Sequence, residues 1–482
     1  MAKNFVVAVE LGSSKITGIA GKKNADGSIN VLALAQEDSS SFINKGYVYN
    51  IDKTAQAISS VVSSLSNQLK AQIRKVYVGV GGQSLRGIGN TLIHDFRTET
   101  KVTQNMLFDL MDANRTTHYP EREILEVAVQ EYKVDNLYQR EPVGIECLRL
   151  VGSYLNITYR QSLLRSLSNC FAAADVLIED IIPAPVALAD VVLTETERRS
   201  GCVLVDLGAD TTTVAVYYKN ILRHLVVIPI GSHNITKDLT SLQMDESQAE
   251  AMKLKYGVAY TENSNIDLTL KYPIDAERTV DSSLFIEIIE ARLQEIIENV
   301  KSQIPQEYEH KLMGGYILTG GGSCMKRIEA AFVKLTNTNK IRIAKSPAAT
   351  VLSRAEKINL SDGLHNTILG LLAKGRDNCA GDEFQDGELF PTQQPTAATE
   401  TTEQTIGSNS TLTSQMNASA GKQAETAEPG VKPTAPVETV FPEPSEIPEE
   451  ADDEETVNTK GKKKSGGLSN FISFIKKMIE EE

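Results

Sequence analysis

Apolar positions along the chain follow two rhythms. Short runs such as FVVAVEL (5–11), KVYVGVGG (75–82), GCVLVDLG (201–208) and GGYILTGGG (314–322) are nearly continuous in aliphatic residues and stop at glycine, which predicts strands buried on both faces. Helix-period stretches lie between them, Thr54 to Leu69 being the clearest. Their alternation over residues 1 to about 374 predicts an α/β fold. No apolar run reaches the roughly eighteen residues that a spanning helix needs, so membrane contact is expected to be peripheral.

Beyond Arg376 the texture changes to Gly, Pro, Thr, Gln, Ser and Glu, with no lysine or arginine between Asp377 and Gly421. Such a stretch buries too little surface to offset its ordering entropy. Residues 376–460 therefore read as a disordered acidic, Pro- and Thr-rich linker, its ends roughly 50 Å apart as a flexible coil. The charge then reverses in GKKKSGGLSNFISFIKKMI. On a helical wheel Leu468, Phe471, Ile472, Phe474, Ile475, Met478 and Ile479 share one face, while Ser469, Asn470, Ser473, Lys476 and Lys477 take the other. Residues 461–482 thus predict a basic amphipathic helix too short to be stable alone in water. Lys462, Lys463 and Lys464 favour an anionic membrane surface as its support, at about 1 kcal/mol per charge. The competing reading docks it back onto residues 1–375.

The chain has 482 residues and a formal net charge of −14. That acidity argues against a nucleic-acid partner, which requires clustered lysine and arginine. Cysteines 147, 170, 202, 324 and 379 form no C-x-x-C pair and read as buried or free thiols of a reducing compartment. The start, MAKNFVVAVELG, carries no recognisable export signal.

The chemistry concentrates in a weak internal repeat. VAVELGSSKITG (7–18) and VLVDLGADTTTV (203–214) share one plan: an apolar strand, an acid, an aliphatic, a glycine, then small or hydroxyl residues entering a second strand. Gly12 and Gly208 allow tight turns, and the amides and hydroxyls of Ser13, Ser14, Thr211 and Thr212 suit phosphate oxygens. Lys15 supplies a point charge. Glu10 and Asp206 suit Mg²⁺, held through its waters. A third element, ILTGGGS (317–323), sets Gly320, Gly321, Gly322 and Ser323 between a strand and the helix-like MKRIEAAF, a place for an adenine to lie against bare backbone. Each motif alone also fits an ordinary structural turn.

Together these residues resemble the superfamily of actin, the Hsp70 chaperones and the sugar kinases, and within it the bacterial division family FtsA. The two hairpins resemble its phosphate-1 and phosphate-2 motifs, and ILTGGGS its adenosine motif. EDIIPAPVALADVVL (179–193) and LHNTILGLLAKG (364–375) are similar to its two connecting helices. QAEAMKLKYG (248–257) resembles a stretch whose acid and lysine approach the ribose and adenine, which implies Glu250 and Lys253. The material after KVYVGVGGQSLRG (75–87) resembles the inserted subdomain 1C of that family.

The resemblance implies an actin-like ATPase fold with two related RNase H-like domains around a nucleotide cleft. Subdomain 1A would span 1–83 and 161–200, 1C 84–160, 2A 201–234 and 311–375, and 2B 235–310. It further implies ATP and Mg²⁺ as ligands and self-association into filaments. The implied partners are the carboxyl-terminal peptide of FtsZ, the anionic cytoplasmic face of the inner membrane at the division site, and other division proteins. The chain departs from the family pattern at Ala209 and Asp210, at Thr213 where a closing acid is usual, and at Glu10 where aspartate is usual. These departures predict ATP binding with slow turnover at most, and no catalytic residue is assigned. Alternative readings are a soluble adaptor of pilus assembly and a sugar or carboxylate kinase. The kinase would need a positioned base, and the adaptor leaves the amphipathic ending unexplained.

Overall fold

The structure, a computed structural model, describes residues 4–24, 26–262, 269–347, 351–353 and 363–380. The first apolar run forms β1 (Val6–Leu11), which turns at Gly12 into β2 (Lys15–Lys23) and continues through β3 (Ile29–Asp38) as an antiparallel meander. Short strands β4 (Ile43–Asn44) and β5 (Tyr47–Val48) pair next. Helix α1 (Ile51–Leu69) starts where the Asn50 side chain accepts the Lys53 amide and stops at Lys70, whose φ is left-handed. Its buried positions Thr54, Ile58, Val61, Val62 and Leu65 recur at helical spacing. The chain then returns as β6 (Lys75–Val80), parallel to β1.

An inserted module follows: β7 (Arg86–Lys101), α2 (Gln104–Arg115), β8 (Arg122–Val134), β9 (Leu137–Gln139) and β10 (Glu146–Arg160). Its antiparallel sheet has the order β7-β10-β8-β9. It owns a separate core that includes Leu92, Leu110, Tyr132, Leu150 and Tyr154. At its root the Arg122 guanidinium donates to Ser84 O and to Thr158 Oγ1, the latter at 2.9 Å, and the Arg160 amide donates to Ser84 Oγ at 2.8 Å.

The chain re-enters the first half as α3 (Gln161–Ala173), β11 (Leu177–Pro183), α4 (Ala184–Val192) and α5 (Glu195–Ser200). The stretch 179–193, expected as one helix, is corrected here. Residues up to Pro183 pair in parallel with β6, and only Ala184–Val192 is helical. Isoleucines at 181 and 182 favour the strand, and Pro185 sits in the first turn of the helix, where its missing N–H costs nothing.

The second half repeats the opening theme with β12 (Cys202–Leu207), β13 (Thr212–Tyr218) and β14 (Ile221–Ile228). Helices α6 (Ser232–Thr240) and α7 (Glu246–Tyr256), the strand pair β15 (Lys271–Pro273) and β16 (Thr279–Asp281), and helices α8 (Ser282–Ser302) and α9 (Gln306–Glu309) make the crossover. They lead to β17 (Gly315–Thr319), α10 (Ile328–Thr336), β18 (Ile341–Ile343), β19 (Val351–Ser353) and α11 (Asn366–Lys374).

The two main sheets have the orders β3-β2-β1-β6-β11 and β14-β13-β12-β17-β18, the first extended by β19 beside β3. Each is an antiparallel meander continued by two parallel strands. The short sequence repeat is therefore the visible part of a duplicated sheet. Parallel pairing demands long crossovers, and those crossovers are where the halves differ. The module also touches the second half, because Gln130 Nε2 donates to Leu222 O on β14 at 2.8 Å.

A second correction concerns the linker, expected to begin at residue 376. The Cys379 amide donates to Phe5 O at 2.8 Å, the Arg74 amide to Cys379 O at 3.1 Å, and the Arg376 and Asp377 amides to the Tyr77 hydroxyl. Residues 376–380 are thus bonded to the starts of β1 and β6. Composition missed this because backbone pairing does not depend on apolar side chains. Cys147, Cys170, Cys202 and Cys379 are buried thiols and Cys324 is exposed. Among the described residues no helix is long and apolar enough to cross a membrane.

Candidate functional site

Both repeat hairpins close on a four-residue corner of the same construction. In the first, Leu11 pairs with Ile16 and the Gly12 amide donates to Lys15 O at 3.1 Å. In the second, Leu207 pairs with Thr212 and the Gly208 amide donates to Thr211 O at 2.9 Å. A Cβ added at Gly12 or Gly208 would stand 2.8 or 2.7 Å from those same carbonyl oxygens, so each corner requires glycine. Among the described residues, the amides of Ser13, Ser14, Ala209, Asp210 and Thr211 meet no protein acceptor. Successive unpaired amides of this kind bind anions. The hydroxyls of Ser13, Ser14 and Thr211 and the Lys15 ammonium also make no protein hydrogen bond.

Thr212 differs. It is fully buried and its hydroxyl donates to Ile230 O at 2.8 Å, leaving no proton for a phosphate. The corner's hydroxyl donor is Thr211 alone.

One residue before the last position of each inner strand stands an acid. Burial pushes the Glu10 carboxyl up to about 7, with Asp206 facing it as the next cause and Lys15 opposing. Burial lifts Asp206 to about 6. The Asp206 charge is felt at Glu10, and the Lys45 amide of the first half reaches Asp210 of the second corner at 3.2 Å, so the halves adjoin beside the second corner. Two half-buried carboxylates with raised proton affinity form a site short of positive charge, and their hard oxygens fit Mg²⁺. Among the described residues no three His, Cys, Asp or Glu side chains converge. A cation here would take its remaining ligands from water and phosphate.

The third glycine run lies directly against the second corner. Gly320 has φ +82°, and an added Cβ would fall on Asp206 Oδ1. At Gly322 it would meet Leu207 Cβ at 2.9 Å, whereas at Gly321 the nearest atom is Leu364 Cδ2 at 3.9 Å. Only Gly321 offers the open backbone face expected of all three. Ser323 is buried and closes the turn by donating to Gly320 O at 2.7 Å. Residues 321–324 form a 3₁₀ turn and α10 starts only at Ile328, so the expected helix amino terminus does not adjoin the glycines.

Glu250 and Lys253 lie one turn apart on α7. The Lys253 ammonium reaches Ser232 O at 3.1 Å, Thr236 Oγ1 at 2.8 Å and Glu250 Oε2 at 2.7 Å. These contacts engage all three of its protons, so in this structure Lys253 braces α6 against α7. Glu250 keeps a partly exposed carboxylate, bonded by the Thr236 hydroxyl. The membrane candidates Lys462, Lys463, Lys464, Leu468, Phe471, Ile472, Phe474, Ile475, Lys476, Lys477, Met478 and Ile479 lie outside the described residues.

Three further residues complete the site. Ser39 is fully buried and its hydroxyl donates to Gly12 O at 2.7 Å. Ser232 does the same for Gly208 O at 3.0 Å. Asp210, one of the departures from the family pattern, accepts the Lys45 amide of the first half at 3.2 Å and faces His233 Nδ1 at 3.3 Å. Its charge is directed into a bridge between the halves.

A duplicated five-strand sheet whose paired glycine corners and acids meet at one seam is the actin-like ATPase fold. In agreement, the chain resembles one partner in a solved "PilM-PilN type IV pilus biogenesis complex" with a TM-score of 0.52 and 15% identity, over 76% of this chain and 97% of that one. The family model described as "Cell division protein FtsA" matches residues 203–358, and "SHS2 domain inserted in FTSA" matches residues 82–158. The cell division protein FtsA of Neisseria meningitidis serogroup B (strain ATCC BAA-335 / MC58) is 32% identical over 337 residues, covering 68% of this chain and 80% of the relative. That of Porphyromonas gingivalis (strain ATCC BAA-308 / W83) is 29% identical over 387 residues, 78% of this chain and 79% of the relative. The chain belongs to the FtsA family of cell-division proteins.

Proposed function

We propose that this chain binds ATP with Mg²⁺, polymerises on the cytoplasmic face of the cell membrane and tethers the FtsZ ring at the division septum. The observation that carries the nucleotide reading is the meeting of the two corners. Amides without protein acceptors in both, a Lys15 that makes no protein hydrogen bond and two carboxylates of raised proton affinity support it, with the halves joined beside the second corner by Asp210 and the Lys45 amide. Ser13, Ser14, Lys15 and Thr211, with the amides of both corners, would hold the phosphates. Glu10 and Asp206 would hold Mg²⁺ through its waters, and Gly321 and Glu250 would border the nucleoside. Bound Mg²⁺ would neutralise phosphate charge. The role in division follows the family, and the FtsZ peptide is assigned to the region 235–310 on the same ground. No general base is assigned, which supports slow turnover; hydrolysis of several ATP per second by the purified protein would contradict it.

The membrane reading rests on the basic amphipathic pattern of residues 461–482. One short interfacial helix binds reversibly, and a filament multiplies it through effective concentration. Co-sedimentation with anionic liposomes, with and without ATP, tests the proposal. Full-length chain should pellet more strongly with ATP, and deletion of residues 462–482 should abolish pelleting while ATP affinity stays unchanged. Pelleting that survives the deletion would remove the tail from the mechanism.

A further inference from the structure

The two corners are each gripped from behind by a serine that follows the third strand of its meander. Ser39 comes directly after β3, and Ser232 comes four residues after the end of β14. In the first half, Ser39 Oγ donates to Gly12 O at 2.7 Å and the Ser39 amide to Ser14 O at 3.2 Å. In the second, Ser232 Oγ and the Ser232 amide both donate to Gly208 O at 3.0 Å, and the His233 amide donates to Ala209 O at 2.7 Å. Each grip thus fixes the carbonyls of two corner peptides.

A trans peptide is planar, with its C=O and the following N–H pointing in opposite directions. Holding the Gly12 and Ser14 carbonyls on Ser39 therefore aims the amides of Ser13 and Lys15 the other way. Holding Gly208 O on Ser232 and Ala209 O on the His233 amide aims the amides of Ala209 and Asp210 likewise. Peptides beside glycine flip easily, and a flipped corner would present a carbonyl oxygen where an anion needs a donor. The second grip is itself braced, because the Ser232 carbonyl accepts from the buried Lys253.

We propose that Ser39 and Ser232 are a matched pair of positioning residues that set the affinity of the two corners for the phosphate chain of a nucleotide, without touching it. This rests on the nucleotide reading above and adds to it how phosphate is distinguished from nucleoside. The local pattern hides the pair, since the serines stand 27 and 24 residues beyond their glycines.

The test measures ATP, ADP and adenosine affinities by calorimetry for the full-length chain and for Ser39→Ala, Ser232→Ala and the double variant, with Mg²⁺ present. Each single variant should weaken ATP and ADP by about tenfold, the scale of one hydrogen bond lost from a buried site. The double variant should approach the product of the two, while adenosine changes by less than about twofold. Ser232→Thr, which keeps the hydroxyl, should restore ATP binding. Unchanged ATP affinity in both alanine variants, or an equal loss for adenosine and ATP, would overturn the positioning role. If Ser39→Ala fails to fold, Ser232→Ala at the more open corner still decides it. A wild-type chain that binds neither ATP nor ADP would instead overturn the nucleotide reading itself.

Discussion

The two corner hairpins share a backbone and divide the chemistry. Both close with a glycine amide on the carbonyl three residues on, both follow an inner-strand acid, and both are clasped by a serine. The first carries the free Lys15 and two unspent serine hydroxyls. The second carries Thr211, a buried Thr212 whose hydroxyl is used internally, and Asp210, which bridges to the Lys45 amide. Duplication therefore supplied geometry, and side-chain divergence left an ammonium without a protein hydrogen bond at one corner and a bridge between the halves at the other. An anion nest needs backbone donors in sequence, which either half provides. Net positive charge needs to come from only one of them.

The comparison breaks most sharply at Gly320, which serves the second corner only. Its positive φ and its closeness to Asp206 leave no place for a methyl group. Gly320→Ala should cost about 2 kcal/mol of stability, the scale of local backbone strain. It should also abolish measurable ATP binding; a chemical-denaturation curve and a nucleotide titration read both outcomes. Full ATP affinity in this variant would mean that the second corner takes no part.

Next in size is the pair of acids. Glu10→Gln and Asp206→Asn should each lower Mg²⁺-dependent ATP affinity by roughly tenfold, the scale of one charge-assisted hydrogen bond. Affinity without Mg²⁺ should be unchanged or slightly higher, because one carboxylate facing the phosphates is gone. If only one of the two substitutions removes the Mg²⁺ effect, the acids do not share a cation.

The smallest effect belongs to Asp210. Were its charge turned toward phosphate, Asp210→Ala would tighten ATP. With the carboxylate directed to Lys45 and His233, no tightening is expected and stability should fall by about 1 kcal/mol, the worth of one hydrogen bond. Thermal melts of the nucleotide-free chain, compared with ATP titrations, separate the two cases.

Much of the fold was legible because buried strands and glycine corners are local. VAVELG and VLVDLG carried the repeat, and the helix from Thr54 to Leu69 came through one turn longer, as Ile51–Leu69. Errors arose where a residue's role depends on a distant partner. Ile181 and Ile182 looked helical until β6 was there to pair with them. Residues 376–380 looked like linker because nothing in their composition reports the starts of β1 and β6.

The candidate site divides the same way. The corners at Gly12 and Gly208, with Glu10 and Asp206 near the strand ends, were readable as structure because each is built within a few residues. Lys253 and Ser323 were readable as residues but not as roles. Whether an ammonium or a hydroxyl is engaged depends on what lies beside it, and both make internal bonds in this structure.

By itself the sequence determined that the chain carries two similar strand-glycine corners in order, a glycine run after a later strand, and a basic amphipathic ending. Those properties follow from backbone preferences and hydrophobic periodicity over short windows. Only the tertiary structure decided that the corners meet, that Asp206 raises Glu10, that Asp210 reaches Lys45 across 165 positions, and that Ser39 and Ser232 hold the corner peptides. The reason is physical. A hydrogen bond or a Coulomb interaction is set by distance in space, and folding brings together groups whose separation along the chain gives no sign of it.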